Sequence, residues 1–226
     1  MKRAVSVGEH KDNGINLFDN IMDVLSDDFR NPIPTGIKGL DNLMEGGLAK
    51  GELGVILAPF GVGKTTLITR LAHTAWELNY NVVQIFFEDN TKVIQKKHTT
   101  CMTGIALNDL NGRASEVEEM INKKQSERSN HLILKKFKSS TTTMQQIEQY
   151  LRKLISDGIR PDIILLDYID CVVTSRQYKD EYSGEGDIMR AFETMISELN
   201  VVGWTAVQGN RSSIGADIVD ADFINQ

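Results

Sequence analysis

Residues 58–66 of the chain read Ala-Pro-Phe-Gly-Val-Gly-Lys-Thr-Thr, and they separate two segments of different periodicity. Before them, Leu53-Gly54-Val55-Ile56-Leu57 is a short apolar run of the kind that makes a buried strand. After them, from about Lys64 to Leu78, the residues Leu67, Ile68, Leu71, Ala72 and Ala75 recur on one face of a helix. A strand that turns through glycines into a helix directs several backbone N–H groups into one small concavity. The partial positive charge of the helix N-terminus adds to them, which favours phosphate oxygens. The whole segment Ala58, Pro59, Phe60, Gly61, Val62, Gly63, Lys64, Thr65 and Thr66 is therefore assigned to binding a nucleotide such as ATP. Lys64 is placed to reach the β and γ phosphates, and the Thr65 hydroxyl to ligate Mg²⁺. One position departs from the usual G-x-x-x-x-G-K-[ST] template: Ala58 stands where the first glycine is expected. Alanine disfavours positive φ, but the remaining spacing is intact.

The rest of the chain alternates short apolar runs with helical patterns. Strands are expected at 82–87, within 131–137, at Ile163–Leu166 and near Val202–Val207, and helical structure over most of 91–128. A helix over 142–157 carries Met144, Ile147, Leu151, Leu154 and Ile155 on one face. Thr142 and Gln145 have capping-box spacing, and Gly158 suits its stop. A further helix is expected from about Asp187 to Leu199, after a polar loop over 174–187 that contains Gly184 and Gly186. Such alternation implies an α/β fold, a mainly parallel sheet covered by helices on both faces. Residues 1–31 read instead as an arm, with Phe18, Ile21, Met22, Leu25 and Phe29 spaced for one face of a short docking helix. The 226 residues suffice for one α/β domain over 32–226. No apolar run approaches the roughly 20 residues that span a bilayer, and the first residues lack the apolar core of a signal peptide. Cys101 and Cys171 are far apart and lack metal-ligand spacing, so the expectation is a reduced, cytoplasmic protein.

Two acidic strand ends and one amide complete the candidate site. Ile163-Ile164-Leu165-Leu166-Asp167 is an apolar run closing on a carboxylate, which puts Asp167 at the sheet's carboxyl edge as a magnesium-directed acid. Asp170, three residues on, is a candidate either to assist or to make a turn. Glu88 follows the strand 82–87 and is placed to polarise an attacking water; Asp89 is adjacent and competes for that role. Gln208 follows the last strand, where its amide can meet a γ-phosphate.

Together these residues resemble the motor domain of the DnaB-like replicative helicases, a RecA-like branch of the P-loop NTPases, over about residues 33–224. The motif Thr35-Gly36-Ile37-Lys38-Gly39-Leu40-Asp41, followed by Gly46-Gly47-Leu48, resembles the family's opening T-G-x-x-x-L-D and G-G-L. Phe86-Phe87-Glu88 resembles the strand whose glutamate is the catalytic base, which favours Glu88 over Asp89. Thr103-Gly104-Ile105 resembles a short helical signature, and Asp167-Tyr168-Ile169 the family's D-Y-L. Leu199-Asn200-Val201 through Gln208-Gly209-Asn210-Arg211 resembles the stretch ending Q-x-N-R, in which the glutamine is a sensor and a DNA-facing loop follows.

The resemblance implies an ATP-dependent motor on single-stranded DNA, a homohexameric ring, and primase or a helicase loader as partner, in a bacterial cell or phage-infected host. Lys64, Glu88 and Gln208 are then catalytic, and Thr65 and Asp167 govern the metal. Arg176, Lys179 and Arg211 become candidate DNA-backbone contacts. The net charge of −6 argues against a protein coated in positive charge, yet a ring can concentrate a few cations on its inner loops. Two departures are expected to matter. Only a short arm precedes the motor, in place of the helical domain of bacterial members. The chain also reads as stopping short of the family's last strands and arginine finger. The same motifs suit a RecA- or RadA-like recombination or repair ATPase, and a non-unwinding ATP-binding accessory or switch is a third reading.

Overall fold

The structure is a computed structural model and describes Phe18 and residues 21–26, 30–174 and 181–209. The chain divides into two compact units, Met1–Asn31 and Pro32–Gln226. In the first, Ile21–Ser26 form a short helix, α1, on which Met22 and Leu25 are exposed. Phe29 of the expected apolar face lies outside the described residues.

The second unit opens on the helix α2 (Lys38–Leu43) and continues through the strand β1 (Leu53–Ala58) and the helix α3 (Lys64–Glu77). There follow β2 (Val82–Phe86), α4 (Thr91–Thr103), α5 (Ala114–Ser126), β3 (Leu132–Lys136), α6 (Met144–Ser156), β4 (Ile163–Asp167), α7 (Glu181–Leu199) and β5 (Val202–Gln208). The five strands form one sheet in the order β1-β5-β4-β2-β3, and every pairing is parallel. This is the covered parallel sheet that the alternation of periodicities implied.

Strand alternation divides the core into two. Ile163 and Leu165 of β4 face Ile68, Leu71, Ala72 and Ala75 of α3, whereas Ile164 and Leu166 face Ile147 and Leu151 of α6 and Phe192 and Ile196 of α7. All of these side chains are buried, and at about 25 cal/mol per Å² of apolar surface this burial is the main force behind the fold. Gly54 makes room for its register partner Trp204: a Cβ on Gly54 would lie 2.5 Å from the indole ring.

The opening motif has a clear structural reason. The Asp41 carboxylate accepts from the Thr35 hydroxyl (2.6 Å), the Thr35 N–H (2.7 Å) and the Gly36 N–H (3.1 Å), which closes the turn before α2. Ile33 donates to the Leu48 carbonyl at 2.7 Å, and a Cβ on Gly47 would collide with the Ile33 carbonyl.

Two sequence expectations are corrected. The capping box of α6 uses Thr143 and Gln146, one residue later than the Thr142 and Gln145 pair. Thr142 is occupied elsewhere: its hydroxyl donates to the Lys138 carbonyl at 2.8 Å and its carbonyl accepts from Val173 N–H at 2.9 Å. The polar stretch 174–187 is also not all loop, because α7 begins at Glu181 and includes Gly184 and Gly186. Glycine disfavours a helix by about 1 kcal/mol per residue, and the buried face of Ile188, Phe192, Met195 and Ile196 outweighs it.

Candidate active site

Because all strands run the same way, their carboxyl ends share one edge, and register decides what meets there. Ala58 at the end of β1 pairs with Gln208 of β5, and Asp167 of β4 pairs with Phe86 of β2, two residues before Glu88. The phosphate-loop segment, Asp167, Glu88 and Gln208 thus all arise from neighbouring strand ends.

Ala58 closes β1 in strand pairing, so the position that lacks its glycine needs no positive φ. The left-handed backbone falls on Gly61 (φ 81°) and Gly63 (φ 99°), and Gly63 is the N-cap of α3. Phe60 and Val62 are exposed around the turn, and so is Thr66 just beyond it. Lys64 folds over the loop and donates from Nζ to the carbonyls of Ala58 (3.0 Å) and Pro59 (3.2 Å). Partial burial lowers its pKa, opposed by the negative charges of Asp170, Asp167 and Glu88. Its ammonium also lies 5.7 Å from the centroid of the Tyr168 ring.

The Thr65 hydroxyl donates to Asp167 Oδ1 at 3.3 Å. Burial pushes the Asp167 carboxyl up to about 6, against the Thr65 hydrogen bond and the Lys97 charge, which favour the anion. A hydroxyl and a carboxylate side by side are hard oxygen donors, the set that suits Mg²⁺ held with a nucleotide.

Glu88 is exposed, and its Oε1 accepts from the Tyr168 hydroxyl at 3.3 Å. Asp89 is tied away from that position by Lys97, 2.9 Å from its Oδ2. Lys136 holds the same turn by donating to the carbonyls of Glu88 (3.2 Å) and Asp89 (2.8 Å). Gln208 is exposed at the end of β5; its backbone N–H donates to Asp170 Oδ2 at 2.9 Å. Lys97 and Lys136 belong to no motif, and Tyr168 belongs to one that does not foretell its bond to Glu88; these contacts emerge from the packing of strand ends. The DNA-contact candidates Arg176, Lys179 and Arg211 lie outside the described residues.

Comparison with known proteins identifies the family and the fold. A family model, the DnaB-like helicase C terminal domain, matches residues 32–214. The chain is 28% identical over 205 residues to the replicative DNA helicase DnaB of Helicobacter pylori, covering 86% of this chain and 41% of that protein. It is 24% identical over 201 residues to the DnaB-like replicative helicase of Enterobacteria phage T4, covering 85% and 41%. It thus spans about two fifths of the length of these curated relatives. Among solved structures, the chain superposes on one ATPase domain with a TM-score of 0.74 at 19% identity, over 90% of this chain and 74% of that one. A DnaB-like replicative helicase solved in a study of its interactions with primase gives 0.70 at 19% identity, over 83% and 46%. The superpositions establish a RecA-like fold. With the family model spanning the sheet, the phosphate loop and every strand end of the site, the chain belongs to the DnaB-like helicase C-terminal domain family.

Proposed function

We propose that the chain is the ATP-hydrolysing motor of a replicative DNA helicase, acting on single-stranded DNA as one subunit of a homohexameric ring. The observation that carries this reading is the convergence of Lys64, Thr65, Asp167 and Glu88 at one sheet edge in a member of this family. ATP enters over the turn at Gly61 and Gly63, whose backbone N–H groups take the phosphates. Lys64 exchanges its two carbonyl partners for the β and γ phosphate oxygens. Thr65 and Asp167 would hold Mg²⁺, which would supply charge neutralisation to the phosphate oxygens. Glu88, oriented by Tyr168, takes the proton of the attacking water. Gln208 contacts the γ-phosphate and passes its loss to the segment that follows.

Arg176, Lys179 and Arg211 are the proposed contacts to the DNA backbone, on the strength of charge and chain position. The apolar residues of α1 are proposed to pack on a neighbouring subunit. Primase or a loader is the proposed protein partner, supported by the primase interactions named for one structural relative. The proposed setting is the cytoplasm of a bacterium or phage-infected host; among the described residues no helix is long and apolar enough to cross a membrane.

Single-turnover ATP hydrolysis with and without single-stranded DNA tests the proposal, together with electron microscopy of the assembly. Stimulation by DNA and closed rings are expected. Hydrolysis indifferent to DNA, or open filaments, would contradict it.

A further inference from the structure

The ladder between β4 and β5 ends three residues short of Gln208. Pairing with β4 stops at Leu166 and Thr205, whereas pairing with β1 continues to Ala58 and Gln208. The last residues of β5 therefore have a strand on one side only. The Gln208 N–H points to the open side, where a strand end left without a ladder partner frays into water.

Asp170 fills that place. It is the middle residue of a single 3₁₀ turn, Ile169–Cys171, that follows β4. Its neighbours Ile169 and Cys171 are both buried in the core, and the turn is closed by Cys171 N–H to the Tyr168 carbonyl and Val172 N–H to the Ile169 carbonyl. The Cys171 carbonyl is held in turn by Ser140 N–H at 3.1 Å. Anchored on both sides, the Asp170 side chain alone faces outward, and its Oδ2 accepts the Gln208 N–H at 2.9 Å. On the opposite side Gly209 N–H donates to the Ala58 carbonyl at 3.1 Å, the same carbonyl that Lys64 Nζ reaches. Residues 208 and 209 are thus held between the phosphate loop and the turn after Asp167.

We infer that Asp170 is a positioning residue: its carboxylate stands in for the missing β4 partner and fixes where Gln208 presents its side chain. This inference rests on the reading of Gln208 as the γ-phosphate contact. A bond from a backbone N–H to a carboxylate is stronger than its neutral counterpart, which is why an acid serves here better than a hydroxyl. Besides the hydrogen bond to its own backbone, the Asp170 carboxylate reaches across to another strand.

The test uses the full 226-residue chain and compares Kd for ADP with Kd for ATPγS, both with Mg²⁺, so that no turnover is needed. Gln208→Ala is expected to reduce the preference for ATPγS by about tenfold, the scale of one charge-assisted hydrogen bond. Asp170→Ala and Asp170→Ser should reduce it by a similar factor. Asp170→Asn, which loses the charge but keeps an oxygen acceptor, should stay within about twofold of the parent. The double variant Asp170→Ala/Gln208→Ala should fall no further than Gln208→Ala, since both act through one contact. Hydrogen exchange at the Gln208 amide should quicken at least about tenfold in Asp170→Ala while Trp204 to Ala206 keep their protection.

An unchanged preference in both Asp170→Ala and Asp170→Ser, losses that multiply in the double variant, or Asp170→Asn as damaging as Asp170→Ala would overturn the inference. Unaltered exchange at Gln208 would remove the tether itself. If Gln208→Ala leaves the preference intact, the γ-phosphate reading of Gln208 fails and the positioning role with it; quickened exchange would then still locate the failure in Gln208's role rather than in the bond. Should Asp170→Ala not fold, Asp170→Ser and Asp170→Asn carry the same comparison.

Discussion

The Thr65 hydroxyl meets the Asp167 carboxylate at 3.3 Å across 102 positions of sequence. This contact joins the start of α3 to the end of β4, two elements that the chain writes separately. It brings a phosphate-loop hydroxyl and a strand-end acid together, the pair proposed to hold magnesium with a nucleotide.

Lys64 is the proposed phosphate-binding cation, and removing it is expected to cost binding. Lys64→Ala should weaken ATPγS by about 10- to 100-fold, the loss of one or two charge-assisted hydrogen bonds to phosphate. Titration calorimetry measures it. Since the hydrogen bonds of the Lys64 ammonium go to the carbonyls of Ala58 and Pro59 within the loop, the far-ultraviolet circular dichroism should be unchanged.

Glu88 is expected to act on the chemical step alone. Glu88→Gln should lower single-turnover hydrolysis by about 10²- to 10⁴-fold, the usual contribution of a general base, with ATPγS affinity near the parent value. Asp89→Asn should be far milder, because Asp89 is paired with Lys97. Equal losses in the two variants would contradict the assignment.

His98 gives a pH prediction away from the site. Buried beside Gln84, whose Oε1 lies 2.7 Å from its Nε2, the ring has its pKa lowered to about 4, chiefly by desolvation. The unfolded chain therefore binds more protons than the folded one between about pH 6.5 and 4. The His98 contribution to stability is complete above that window and is lost as pH falls through it, by up to about 3 kcal/mol. Asp167, raised by burial to about 6, acts in the opposite sense over much of the same range. The clean readout is thus the imidazole itself: its NMR shifts should show no titration between about pH 5 and 8. A midpoint near the ordinary histidine value would refute the buried, neutral ring.

Gly54 tests the packing of the sheet. With the Trp204 ring 2.5 Å from where a Cβ would sit, Gly54→Ala should destabilise the fold by about 1–3 kcal/mol, as overpacking does. Urea unfolding measures the shift. A Trp204→Leu background should recover part of the loss.

Much of the fold is legible in the sequence because its signals are local. The glycines and Lys64 sit in nine consecutive residues, and the apolar runs ending at Asp167 and Phe87 mark strands on their own. Asp170 is readable only as an acid near the site. Its partnership with Gln208 depends on where the β4–β5 ladder stops, which is a property of register between segments 38 residues apart. The contacts of Tyr168 and Lys97 are hidden for the same reason. The start of α7 escapes a local reading because two glycines argue against a helix while the buried face argues for one through tertiary contact. The cap of α6 differs by one residue because Thr142 and Thr143 are chemically alike, and what distinguishes them is that Lys138 and Val173 occupy the Thr142 hydroxyl and carbonyl.

The magnesium dependence of ATPγS binding in the parent chain and in Asp167→Asn tests the account most directly. Mg²⁺ should tighten binding to the parent by at least about tenfold, as a paired carboxylate and hydroxyl predict. In Asp167→Asn most of that gain should vanish, with magnesium-free affinity little changed. A variant that keeps the full magnesium response would show that Asp167 and Thr65 do not form one site.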